Sequence, residues 1–112
     1  MDLAHGRCIA CRKGEPVLSD PEIASLLALL SGWTLQEQDG VKQLRKSYRF
    51  KDFTTALAFT DRIGQLAESE GHHPAILTEW GSVTVSWWTH IIRGLHRNDF
   101  IMAAKTDRLA ED

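Results

Sequence analysis

Twice in this chain a pair of β-rich runs closes on a glycine turn, with one long helical pattern between the two pairs, and no other feature constrains the fold as strongly. Trp33 and Leu35 alternate with Thr34 and Gln36, Asp39-Gly40 supplies a hairpin turn, and Leu44, Tyr48 and Phe50 line one face of the returning strand. A second hairpin runs from Ile76 to Trp80, turns through Gly81 and returns over Val83 to His90, in a stretch rich in β-branched and aromatic residues. The intervening helix starts after Asp52 as N-cap, reaches about Ser69 and ends at Gly71, with Phe53, Ala56, Leu57, Ile63 and Ala67 near one face.

Helices flank the hairpins. Ser19 and Glu22 have capping-box spacing, Pro21 suits a first turn, and Ile23, Leu26, Leu27 and Leu30 form an apolar stripe that Gly32 terminates. A last helix begins near Asn98 or Asp99. The pattern predicts an α+β domain: a four-stranded antiparallel sheet of two hairpins with three helices packed on one face, in the order α-β-β-α-β-β-α. Residues 1–18, with Gly6, Gly14 and Pro16 and no periodicity, read as an irregular lead-in to a single domain over residues 19–112.

With 112 residues, 43% of them apolar, the chain supports one core. A domain this small buries only about 65% of the surface its unfolded chain exposes, so a homodimer or homotetramer is expected to add burial. Thirteen basic against fifteen acidic side chains argue against direct nucleic-acid binding. The basic run Lys42, Arg45, Lys46, Arg49 and Lys51 reads as a solvated face, with Arg45 and Arg49 on the outward side of a strand. No apolar run approaches the roughly 20 residues of a membrane span, and no signal-peptide core is present, so a cytoplasmic protein is expected. Cys8 and Cys11 form a lone C-x-x-C without a second ligand pair or a following βαβ unit, and receive no role.

Chemistry concentrates around three histidines. His72 and His73 follow the helix-ending Gly71 and precede Pro74, which biases His73 toward extended backbone, so neighbouring rings point in different directions. Glu68 lies four residues before His72 and is expected to orient its ring if the helix holds to its end. Alternation along the fourth strand points Val83, Val85 and Trp87 one way and Thr84, Ser86, Trp88 and His90 the other, with His90 ending the strand. Each histidine alone reads as an ordinary surface or core residue, and His5 and His96 read as surface residues. Trp80 and Trp87 read as core, and Asp99 as a favourable first-turn charge.

Taken together, Glu68, His72-His73-Pro74, Trp80, His90 and Asp99 stand at spacings that resemble the signature of the pterin-4a-carbinolamine dehydratases. Leu30-Ser31-Gly32-Trp33, Phe50-Lys51-Asp52-Phe53, Glu70-Gly71-His72-His73-Pro74 and Gly94-Leu95-His96-Arg97-Asn98-Asp99-Phe100 extend the likeness to the family's bacterial branch over most of residues 19–109. The resemblance implies dehydration of 4a-hydroxytetrahydropterin to quinonoid dihydropterin, recycling the tetrahydropterin of aromatic amino acid hydroxylases. That reaction needs one proton delivered to the 4a-hydroxyl and one taken from N5, without metal or cofactor.

On this resemblance His72 and His90 are the main proton movers, His73 orients the pterin or donates to the leaving oxygen, and Glu68 tunes His72. Trp33, Pro74, Thr89, Ile91, Ile92 and Asp99 are carried over as pterin-binding residues. Gly71 departs from relatives that hold an acidic or amide residue there. Two other readings stand beside it. An interaction module, partner of a hydroxylase or a transcription factor, would dock through the apolar run Phe100, Ile101, Met102, Ala103 and Ala104. A three-histidine zinc centre is opposed by the adjacency of His72 and His73.

Overall fold

Asp39 and Gly40 both take left-handed backbone (φ 53° and 78°), the geometry of a tight turn whose twist matches paired strands, so β1 (Thr34–Gln38) and β2 (Val41–Arg49) pair antiparallel. Gly81 (φ 78°) closes the second hairpin between β3 (Ala75–Glu79) and β4 (Ser82–Trp87). The computed structural model describes residues 3–8 and 14–111, and within them β2 and β4 join the hairpins into one antiparallel sheet of order β1-β2-β4-β3. Leu44 opposes Trp87 and Tyr48 opposes Val83, which places the apolar residues of both central strands on one face.

Two helices lie on that face, α2 (Phe53–Glu70) and α3 (Arg97–Glu111), and α1 (Asp20–Leu27) packs against α3. The order α-β-β-α-β-β-α and the four-stranded antiparallel sheet are as the sequence predicts. Ser19 and Glu22 make the reciprocal capping box, Asp52 caps α2 through the Thr55 N–H, and Gly71 ends α2 at φ 64°. α1 stops earlier than Gly32, because the Leu29 and Leu30 N–H groups bond three residues back to Leu26 and Leu27 and tighten the last turn.

Four expectations about burial are corrected. In α2 the buried stripe is Ala56, Phe59, Ile63 and Ala67. At roughly 100° per residue, Phe53 and Leu57 fall about 60° and 100° away from it, and both are exposed. Trp80 is 74% exposed, since it occupies the β3–β4 turn rather than a strand face. Phe100 through Ala104 on α3 are all buried, so that run is core and not a free contact surface. Finally, residues 3–5 form a 3-10 turn whose Leu3 and Ala4 join the core, pinned by Lys105 Nζ donating to the Ala4 carbonyl at 2.9 Å.

Candidate functional site

Gly71 bends the chain out of α2, and this decides which histidine meets which acid. Because the left-handed turn interrupts the helical path, His72 does not occupy the position above Glu68. Its Nε2–H instead donates to Asp99 Oδ1 at 2.6 Å, and its ring stacks on Trp87 with centroids 5.7 Å apart. Glu68 reaches the next residue, accepting from His73 Nε2–H at 2.5 Å in an exposed pair. The expected Glu68–His72 contact is therefore corrected to Glu68–His73.

Asp99 is fully buried and serves as a structural acceptor. Besides His72, it accepts from Thr89 Oγ1 at 2.8 Å and from the His96 N–H at 2.9 Å. A buried carboxylate needs such saturation, and three donors supply it. Asp99 and Thr89, carried over as ligand contacts, sit beneath the site rather than on its surface. His96 is likewise corrected from surface residue to structural one: its Nδ1 accepts from the Asn98 N–H at 3.0 Å and its Nε2 pairs with Glu15 at 3.3 Å.

The fourth strand ends at Trp87, earlier than expected, and His90 opens a 3-10 turn (His90–Ile92) closed by the Thr89–Gly94 bridge. The His90 Nε2–H donates to the His73 carbonyl at 3.1 Å, and its ring lies 4.4 Å from that of Trp88. All three histidines thus place Nε2 against an oxygen. His73 and His90 are exposed and joined directly, whereas His72 is buried behind them. Pro74 and Ile92 are half-buried and Ile91 is exposed, in the two segments that carry His73 and His90.

Trp33 lies elsewhere within the chain. Its Nε1–H donates to Asp107 Oδ2 at 3.0 Å, and Asp107 follows Asp99 by eight residues, about 12 Å along α3. Asp107 also accepts from Tyr48 OH and pairs with Lys46 at 2.8 Å, and burial with the adjacent carboxylate pushes the Tyr48 phenol up from its usual range. This is a fastening between α3 and the sheet. Trp33 does not wall the histidine cluster.

His90 also borders a groove of about 430 Å³ on the sheet face that no helix covers, together with Trp88, Arg45, Ser86 and Arg93. Sequence reading left Arg45 as a solvated residue, placed Trp88 on the His90 side of the strand without assigning it a role, and passed over Arg93. The alternation that aligns Arg45 with Ser86 across the strands was the available signal. No three His, Cys, Asp or Glu side chains among the described residues converge as a metal ligand set, and the three Nε2 atoms point to separate oxygens. Cys8 is half-buried, its thiol pushed up to about 12 by burial and the nearby Glu70; Cys11 lies outside the described residues.

Fold and site together define a small α+β protein with two exposed imidazoles beside a polar groove. Residues 16–109 match the family model described as pterin 4 alpha carbinolamine dehydratase, and the chain belongs to that family. A solved structure described as a transcriptional coactivator/pterin dehydratase from Brucella melitensis is 34% identical, covering 85% of this chain and 99% of that one, with a TM-score of 0.75. A pterin dehydratase-like protein identified as a RuBisCO assembly factor in the alpha-carboxysome is 26% identical, covering 70% of this chain and 89% of that one, with a TM-score of 0.60.

Proposed function

We propose that the chain dehydrates 4a-hydroxytetrahydropterins to quinonoid dihydropterins. The observation that carries this reading is the His73–His90 pair: two exposed histidines from separate segments, brought together by the His90 ring donating to the His73 main-chain carbonyl at 3.1 Å, each with Nδ1 left to exchange a proton. Loss of water requires protonation of the departing 4a-oxygen, cleavage of its carbon–oxygen bond, and removal of the N5 proton as the C4a–N5 double bond forms. His73, oriented by Glu68, delivers the first proton, and His90 Nδ1 accepts the second. His72 shifts from the proton mover of the sequence reading to a positioning residue, because Asp99 and Trp87 hold it below the surface. In this reading no cofactor takes part.

The setting is proposed with it: a cytoplasmic protein, functionally linked to an aromatic amino acid hydroxylase. No helix among the described residues is long and apolar enough to cross a membrane. A second reading, an interaction module, draws on the coactivator and assembly-factor roles described for the two similar structures and on the exposed Leu77 and Trp80. The test is ultraviolet detection of quinonoid dihydropterin formed from synthetic carbinolamine. Acceleration over the spontaneous rate, retained after chelation, is the expected result; a rate equal to the spontaneous one overturns the dehydratase reading in favour of the module.

A further inference from the structure

The open sheet face carries a second feature that the proton chemistry does not use. Arg45 and Arg93 both line the 430 Å³ groove, at whose edge stand His90 and Trp88. Arg45 is aimed by its neighbours: Nε–H donates to Ser86 Oγ at 3.0 Å, and a terminal nitrogen donates to Gln43 Oε1 at 3.4 Å. These two bonds use a minority of the five guanidinium donors. Among the described residues neither arginine forms an ion pair, and Asp39 is the one carboxylate on the groove wall.

Arg93 reaches the groove from a backbone that side chains seldom adopt. Its φ is 53°, beside Gly94, in the turn that His90 opens. A non-glycine residue there costs of order 1 kcal/mol, and such outliers are retained where surroundings or function hold them. Ser86, the cross-strand partner of Arg45, precedes Trp88 by two residues, about 7 Å of extended backbone, and the Trp88 ring centroid lies 4.4 Å from that of His90. An aromatic ring system seated at His90 and Trp88 therefore has cationic, multiply donating groups within a short substituent's reach.

We propose that this groove binds an anionic tail, a phosphate ester or carboxylate, carried by the heterocycle that His73 and His90 act on. The substrate class is then a pterin with an acidic side chain, an assignment that rests on the dehydratase reading. Guanidinium groups match phosphate oxygens with paired, charge-assisted hydrogen bonds, and phosphate is the better fit for two of them.

The experiment titrates the full chain with 6-hydroxymethylpterin and with its phosphate monoester, following tryptophan fluorescence at low salt. The ester is expected to bind at least tenfold more tightly than the alcohol. That preference should fall below about threefold in Arg45→Gln and Arg93→Gln, and return in part in Arg45→Lys, which keeps the charge while losing the Ser86 geometry. Equal affinities for ester and alcohol in the wild-type protein overturn the proposal, as does a preference untouched by all three substitutions. Wild-type turnover of a neutral-tailed and of a phosphate-tailed carbinolamine, measured in parallel, separates the two ideas. Turnover without ester preference removes the groove assignment alone, and ester preference without turnover of either carbinolamine removes the dehydratase reading and with it the substrate class, leaving only the anion site.

Discussion

Asp99 shows how one buried side chain can tie three segments of chain together. It is the shared acceptor for the buried His72 and Thr89 side chains and the half-buried His96 backbone. Asp99→Ala leaves three donors without a partner and is expected to cost about 3 kcal/mol, read as a lower urea midpoint. A loss under about 1 kcal/mol would mean the cluster re-pairs locally. Which acid would serve which histidine was only half legible in the sequence. The motif brought Glu68, His72 and Asp99 to notice, but the Glu68–His72 pairing assumed a helix that continues, and Gly71 ends it. The His72–Asp99 bond spans 27 residues, beyond any local rule.

Helix ends set the register of the site, and they were the most readable elements. Ser19, Asp52 and Gly71 all act at the termini where local chemistry places them. Nothing lies within 4 Å of a Cβ added at Gly71, so the cost of Gly71→Ala is that of its left-handed backbone, about 1 kcal/mol, with Gly71→Asn milder. Thermal unfolding of the two variants checks this; equal destabilisation would contradict it. At the other end of α2, bonding from the Thr55 N–H holds the Asp52 carboxyl below its ordinary value. A depressed carboxylate contributes stability above its unfolded pKa and loses it as pH falls through the folded value. The gap in urea midpoint between wild type and Asp52→Ala should therefore narrow below about pH 4. A gap independent of pH would argue that the cap acts without its charge. Strand ends were less legible: the alternation over Val83 to His90 continues past Trp87, where the sheet pairing stops.

At the scale of the whole molecule, fold order and the two hairpins followed from turn residues and helical periods, while the groove did not, because it needs side chains from all four strands and two turns. The lead-in was underread for a similar reason: Leu3 carries no periodic signal, yet it is buried against α3. Leu3→Ala is expected to cost about 2 kcal/mol in urea denaturation, and no loss would detach the turn from the core. Phe53, Leu57, Leu77 and Trp80 remain exposed, and β3 is an unpaired edge. Self-association is accordingly expected in sedimentation; a monomer at all concentrations would oppose it.

The central claim is that His73 and His90 move the protons. Single-turnover rates of carbinolamine dehydration should fall by about 10²-fold or more in His73→Ala and in His90→Ala, with the folded state of each variant confirmed by circular dichroism. Rates in both variants equal to wild type would contradict it.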